Sequence, residues 1–598
     1  MLCFVSSKRE KFILSFDMNN ISKILAAISA AMLAAASCGN RPTGEFQFDL
    51  LTTNDVHGAW FDSTYVDGPR RTSLMAVNTY VNAYRDSLGI DNVILVDAGD
   101  CLQGDNAPYY YNYVDTVTPH LFPRLAAYMK YDAVCVGNHD VETGHNVYDR
   151  VAADLKANGI PFLAGNAVKP DGKPYFDSVR ILKRHGVKIA ILGFTNPNMK
   201  AWLDEKLWTG MQFESLIPLV QNEVDLVSAK EKPQVVIVAI HSGTGKGDGT
   251  IYESQGLDLL KSLRGVDFVV CSHDHSAVVV QQDSICLINS GSRAQNIGHG
   301  RIRLALKDGK VLAKSVNADL IKVNADRVDP KMEAAFHSDY EAVKKFTLRE
   351  VGDLDIDLRT RDSYAGMCPY MNLIHTLSLS AKSAQVSFAA PLTFNKDINA
   401  GRLIYNDLFS IYPYENQLFV VRLTGDEIRK CLEYSYDSWI KTYVPDGHVL
   451  KIAEGEDQRT GQKNWHFINR PYNFDSAGGL VYTVDVTKPY GSRVSITTLA
   501  DGTPYSSDAW YNVAMTSYRA AGGGYILSKG AGIDTDNMED RIVARHDDIR
   551  NILYDYIQKS NGIHSAEIND TQRIGHWEFV PAPAARAIDK DMTLLFGE

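Results

Sequence analysis

Short runs of Val, Ile, Leu and Ala recur through the first half of the chain, and most of them end in a residue able to bind a metal. FQFDLL, NVILVD, DAVCVG, KIAILGF, QVVIVAI and VDFVVC are nearly all apolar instead of alternating. Such runs suit strands covered on both faces. Helix-like stretches at 74–88 and 147–157 separate several of them. The pattern predicts a layered α/β domain over 46–325, with helices outside the sheets.

The polar ends of these runs carry the chemistry. They read Asn54-Asp55-Val56-His57, Asp97-Ala98-Gly99-Asp100, Gly137-Asn138-His139-Asp140, His241-Ser242-Gly243 and Ser272-His273-Asp274-His275. Open α/β sheets place their sites at the carboxyl ends of strands. Carboxylate oxygen, imidazole nitrogen and an amide carbonyl without thiolate suit zinc, manganese or iron, not a structural zinc cluster. About seven candidate ligands are enough for two divalent ions sharing a carboxylate, a pair that sits about 3.5–4 Å apart in phosphatases and nucleases. His145, His185 and His299 fall outside the pattern and are read as structural or surface residues.

From Asp329 the character changes. An Asp-Pro start and helical spacing at Met332, Ala335, Phe336 and Tyr340 predict a connecting helix over 329–350. A second domain mixing helices and strands is expected over 352–577, and PAPAA near the end suggests a tail over 578–598.

The ordered set D-x-H, G-D, G-N-H-D, H, S-H-D-H resembles the calcineurin-like metallophosphoesterases. The two-domain length and later motifs resemble a narrower group, the exported 5'-nucleotidases and 2',3'-cyclic-nucleotide 2'-phosphodiesterases/3'-nucleotidases. The resemblance runs from Phe46 to His576. It implies a four-layer α/β sandwich, the linker helix and an α+β domain of 5'-nucleotidase type that binds substrate. It implies a first metal on Asp55, His57, Asp100 and His275, and a second on Asp100, Asn138, His241 and His273, with Asp100 shared. His139 matches the family's catalytic His, and Glu142 stands where relatives carry the carboxylate that orients it. Two cations in such a site acidify a water and neutralise the phosphoryl oxygens.

In the second domain, Tyr414 in IYPYENQL and Tyr518 in TSYRAAGGGY match the two aromatics that sandwich a nucleobase in this family, and Asn416 is placed to reach the base edge. Stacking of this kind contributes about 1–3 kcal/mol per base. The 5'-nucleotidase subgroup has an Asn-Gly-Gly-x-Arg segment where this chain reads Ser387-Phe388-Ala389-Ala390-Pro391-Leu392. With YNFD at 472–475 and the GGGY loop, this favours the cyclic phosphodiesterase/3'-nucleotidase subgroup. A 5'-nucleotidase is the alternative. A hydrolase of nucleotide sugars or other phosphomonoesters, or a non-catalytic nucleotide-binding lipoprotein, stands further off.

Charge and export bound the partners. Lys+Arg 61 against Asp+Glu 72 gives a net charge of -11, unsuited to coating a polynucleotide. The apolar stretch 24–37 is too short to span a bilayer and reads as a secretory signal over 1–37, with Met18 as a plausible start. Ala35-Ala36-Ser37-Cys38 resembles the bacterial lipobox, which makes Cys38 the lipidated first residue of a periplasmic or cell-surface lipoprotein anchored in the outer membrane. Removing 1–37 takes away four basic and two acidic residues and leaves -13. The later cysteines, Cys101, Cys135, Cys271, Cys286, Cys368 and Cys431, form no CxxC pair and read as buried thiols. A monomer acting on a small nucleotide, held to the membrane only by its lipid, is the expectation.

Overall fold

The computed structural model describes residues 41–597, apart from Asp67, Gly68, Glu415, residues 457–462 and the side chain of Asp536. The signal segment and Cys38 lie outside the described residues.

Two six-stranded sheets stack in the first domain. In one, strand Gly44–Thr53 runs parallel to Val93–Asp97, which is followed by Ala133–Cys135 and Phe162–Leu163, also parallel. On its other side, Asn296–Lys307 and Lys310–Lys322 add two long antiparallel strands. The second sheet has Val187–Phe194, Val235–Ile240, Phe268–Cys271 and Ile285–Ser290 parallel at its centre. Val179–Arg184 and Ala277–Gln282 flank them as antiparallel edges.

The apolar runs exist because both faces are covered. Phe48, Leu50, Ile94 and Val96 meet Ile189, Ile191, Ile237 and Val270 between the sheets. Helices Leu74–Leu88, Leu121–Met129 and His145–Ala157 cover the outer face of the first sheet. Helices Leu216–Glu231 and Gly256–Ser262 cover that of the second. The result is helix, sheet, sheet, helix. Every parallel strand points its carboxyl end to the same rim, where the metal-type residues collect.

The connector is two helices, Pro330–Ala335 and His337–Thr347. The Asp329 carboxylate caps the first through the N–H groups of Lys331 and Met332. Met332 packs in the first domain's core and Phe346 in the second's. Buried Asp339 accepts from both Arg124 terminal nitrogens, at 2.6 and 2.9 Å, and from the Tyr111 hydroxyl at 2.6 Å. The linker is therefore fastened to the first domain before the chain enters the second.

The second domain is built on a five-stranded sheet in the order Ser476–Gly478, Val386–Ala389, Trp510–Thr516, Gln417–Thr424, Ile542–Asp548. Helix Gly425–Trp439 packs on it, started by a Thr424/Glu427 capping box. Tyr109 donates to Asn551 at 3.2 Å and Asn106 to Asn406 at 3.1 Å, bringing the two domains into contact. Among the described residues, no helix is long and apolar enough to cross a membrane.

The tail expected over 578–598 is not a tail. Gly575–Val580 pairs in parallel with Leu480–Asp485, and helices Ala582–Ala585 and Ala587–Phe596 follow. Fully buried Asp591 accepts from the Val449 and Leu450 N–H groups, each at 2.8 Å, and from His448 at 2.5 Å. PAPAA reads as a linker by composition, but its prolines stand at a helix start, where a missing N–H costs nothing. Asp591→Ala strands two buried N–H groups and should lower the unfolding free energy by about 3 kcal/mol. Chemical denaturation measures this, and a loss under about 0.5 kcal/mol, the range of ordinary surface substitutions, would show the segment to be dispensable.

Candidate active site

Three loops at the strand ends are pinned to one another by backbone groups and one buried carboxylate. Asp55 N–H donates to Gly99 O at 2.9 Å, and His57 N–H to Asp100 O at 3.0 Å. Asp140 is fully buried, and its carboxylate accepts from the N–H groups of Asp100, Cys101, Leu102 and Gly137 at 2.8–2.9 Å. Gly137 is required by proximity: a Cβ there would lie 2.1 Å from Asp100 Oδ1. Asp55, His57, Asp100, His273 and His275 all take positive φ, between 46° and 70°. Left-handed backbone at non-glycine residues costs energy and gathers at functional sites, where the surroundings enforce it.

The seven sequence-predicted ligands are brought together. His57 Nε2 and His275 Nε2 face each other at 2.9 Å. Asp55 Oδ1 lies 3.9 Å from the first and 3.7 Å from the second. His241 Nε2 is 3.1 Å from Asp100 Oδ2 and 3.0 Å from Asn138 Oδ1, and His273 Nδ1 is 2.9 Å from the same Asn138 oxygen. Asp100 lies between the groups, 3.9 Å from His57. His241 Nδ1 faces the Ala98 carbonyl at 2.8 Å, which fixes its proton there and turns Nε2 inward. His145 and His299 stand apart, paired with Asp149 and Asp49.

The donor set fits divalent cations. Burial lifts Asp55 to about 8, and the Asp100 charge adds to it. Burial also holds His57 well below its ordinary value, His273 at about 3 and His275 at about 4. His241 differs, raised to about 9 with burial opposing and the Asp100 charge driving the shift; three neutral imidazoles and crowded carboxylates aimed at shared points remain a donor set suited to metal. Asp55, His57 and His275 form one candidate cluster, and Asp55, Asp100 and His241 another, each with ligand atoms within 4.8 Å of one another.

His139 is half-buried beside the cluster, its ring edge-on to His57 at 5.3 Å. Its Nδ1 faces Glu142 Oε2 at 2.8 Å and Gln103 Oε1 at 2.8 Å. Two acceptors at Nδ1 place the proton there and leave Nε2 toward the site. Glu142, one methylene longer than Asp, reaches because both residues lie on one short helix, Asn138–Glu142. Gln103, Asp140 and the indole of Trp202, stacked on His273 at 5.1 Å, escaped the sequence reading. Only the GNHD motif itself pointed at Asp140. Nothing local marks Gln103 or Trp202.

Helix Met199–Trp202 also packs on Ser517–Ala520, which brings the Tyr518 segment of the second domain close to the helix that carries Trp202. Tyr414 and Tyr518 are each 41% exposed. Burial raises both phenols, and the Tyr472 hydroxyl adds to each, which sets Tyr472 near both. Buried Arg519 bolts the loops together, bonding Asp475 at 2.9 and 2.7 Å, Asn473 at 2.9 Å, Tyr472 O at 2.6 Å and Gly523 O at 3.1 Å. A cavity of about 570 Å³ beside them is lined by Leu392, His466, Arg470, Tyr472, Asn473 and Tyr525, among others. Asn416 makes a long 3.4 Å bond to the Tyr412 hydroxyl.

Residues 49–277 match the calcineurin-like phosphoesterase family, and residues 349–529 match the 5'-nucleotidase C-terminal domain. The chain belongs to the two-domain metallophosphoesterases, hydrolases of phosphoester bonds that use divalent metals. It is 24% identical to a 2',3'-cyclic-nucleotide 2'-phosphodiesterase/3'-nucleotidase of Haemophilus influenzae over 94% of this chain and 92% of that one. It is 22% identical to a 5'-nucleotidase of Vibrio vulnificus over 76% of this chain and 90% of that one. Against the trifunctional nucleotide phosphoesterase YfkN of Bacillus subtilis it is 23% identical over 80% of its own length, but spans only 36% of that protein. Among solved structures, a 5'-nucleotidase precursor from Thermus thermophilus shares the fold with a TM-score of 0.56 at 19% identity, covering 90% of this chain and 100% of that one.

Gly523 lies against the Tyr518 ring, where a Cβ would meet it at 2.4 Å. Gly523→Ala should tilt that ring and raise the KM for a nucleotide about tenfold, a share of the 1–3 kcal/mol that stacking contributes. Turnover of a base-free aryl phosphate should stay as it was. An unchanged nucleotide KM would remove Tyr518 from the base site.

Proposed function

We propose that this chain hydrolyses nucleotide phosphoesters outside the cytoplasm, acting first as a 2',3'-cyclic-nucleotide 2'-phosphodiesterase and then as a 3'-nucleotidase. The observation that carries the proposal is the convergence of Asp55, His57, Asp100, Asn138, His241, His273 and His275 beside the loops of Tyr414 and Tyr518. Asp55, His57, Asp100, Asn138, His241, His273 and His275 would hold two divalent ions, of zinc, manganese or iron, which would acidify a water and offset charge on the phosphoryl oxygens. In the first step a water oxygen bonds to phosphorus and the bond from phosphorus to O2' breaks. In the second another water oxygen bonds to phosphorus and the bond to O3' breaks, leaving nucleoside and phosphate.

The chain's own residues supply the rest. His139 carries a proton at Nε2 to the leaving oxygen, and Glu142 and Gln103 hold its Nδ1–H so that the ring presents that atom. Tyr414 and Tyr518 grip the base and Asn416 reaches its edge. The ester position is suggested by the length of the match to the Haemophilus influenzae relative and by the Ser387–Leu392 stretch. A 5'-nucleotidase is the second reading, favoured by the Vibrio vulnificus relative. We further propose a signal over 1–37, domains over 46–325 and 352–577 joined by the helical linker, and a lipid on Cys38 that tethers a monomer to the outer membrane.

His139→Ala should lower kcat by about 10²–10⁴-fold with bound metal unchanged by elemental analysis. Chelation should abolish turnover, and manganese or zinc should restore it. A panel of 2',3'-cyclic AMP, 3'-AMP, 5'-AMP, ATP and UDP-glucose fixes the ester: selective 5'-AMP hydrolysis sinks the preferred subgroup. Tight nucleoside binding without turnover points instead to a binding protein.

A further inference from the structure

One arginine rooted beside a metal-ligand loop keeps its guanidinium without a partner among the described residues. Arg293 follows strand Ile285–Ser290. Its N–H donates to Asp55 O at 2.8 Å, and its carbonyl accepts from Thr72 Oγ1 at 2.8 Å. Its φ is 51° and that of Ala294 is 55°, two successive left-handed residues without a glycine. Surroundings that enforce such a conformation fix where the side chain starts. The backbone is thus tied to a metal-ligand loop, while the exposed guanidinium forms no hydrogen bond or ion pair among the described residues.

Burial raises the Tyr414 phenol, and Arg293 opposes it, ahead of Arg470. Rooted on the segment bonded to Asp55, the side chain stands within an arginine's reach of the ligand cluster. Arg470 lines the second domain's cavity, and three other arginines nearby are engaged elsewhere. Arg519 is locked on Asp475, Arg71 on Asp105, and Arg550 on the Tyr412 and Pro413 carbonyls and the Phe409 face. A chain of net charge -11 offers a phosphate no long-range attraction, so the cation that meets it has to be local.

We propose that Arg293 is a phosphate-binding residue of the active site, its guanidinium donating to non-bridging oxygens of the substrate's phosphoryl group beside Asp55, His57 and His275. The planar fork matches two such oxygens, which the single ammonium of a lysine does not. The proposal rests on the phosphoester-hydrolase reading above. It differs from a role for Arg293 in holding Tyr414 or the base, because a phosphoryl contact is felt by esters that carry no base.

The test uses the full mature chain with its metal content measured, as wild type, Arg293→Met and Arg293→Lys. Each is assayed on a nucleotide and on bis(4-nitrophenyl) phosphate, and inorganic phosphate binding is measured by calorimetry. Arg293→Met should lower kcat/KM about 10²-fold on both esters, the size of loss expected when one preorganised donor is removed. It should also weaken phosphate binding at least tenfold, with metal content and Tm unchanged, and Arg293→Lys should recover part of each. Values within twofold of wild type overturn the proposal, and a loss confined to the nucleotide assigns Arg293 to the base instead. If the wild type turns over no phosphoester, the hydrolase reading fails. Phosphate binding then decides Arg293 alone: equal binding by wild type and Arg293→Met refutes it.

Discussion

The carboxylate of Asp140 holds the site in one piece. It is fully buried and takes four backbone N–H groups from two loops that leave different strands. One of those loops carries Asp100 and the other Asn138, so a single side chain sets the spacing between ligands to the shared region. Its acceptors could be replaced by water only by opening the sheet rim, because the peptide groups it satisfies have no other partner within reach of solvent. The left-handed backbone at Asp55, His57, Asp100, His273 and His275 follows from the same crowding: strand ends this close force tight turns.

The two-sheet stack explains why such strain is tolerated. Parallel strands buried on both faces are rigid, and the apolar contacts of Phe48, Ile94, Ile189 and Ile237 lie directly behind the rim. Energy gained in that core offsets the cost of holding unfavourable dihedrals at the front. The second domain solves a different problem. Its binding loops are irregular and exposed, and the buried Arg519–Asp475 pair, backed by bonds to Asn473, Tyr472 and Gly523, gives them a defined shape. A buried ion pair contributes little net stability, but removing one partner is costly, which makes it suited to fixing a conformation.

The division between the halves also gives the substrate geometry its logic. In the proposed reading, the groups assigned to phosphorus (the ligand cluster, His139 and Arg293) stand on the first domain and those assigned to the base on the second. Trp202 stacks on His273, and the helix that carries it packs against the Tyr518 segment.

Periodicity and strand-end polarity in the sequence were enough to reveal the layered α/β domain, its apolar strands and the residues at its rim. Those signals are local: a strand covered on both faces must be apolar along its length, and a metal site must end it in oxygen and nitrogen donors. The capped start of the connector at Asp329 was legible for the same reason. What required the tertiary structure was every relation between distant segments. Gln103 against His139 and Trp202 against His273 join residues with no sequence signature, because a hydrogen bond or a stacked ring depends on where two chains pass and not on either alone. The last helix was misread for the same cause: composition marked 578–598 as loose, while Asp591 supplies an acceptor that buried N–H groups at 449 and 450 require. The chemistry of the site was written in the sequence, and the fold decided which groups are near enough to share it.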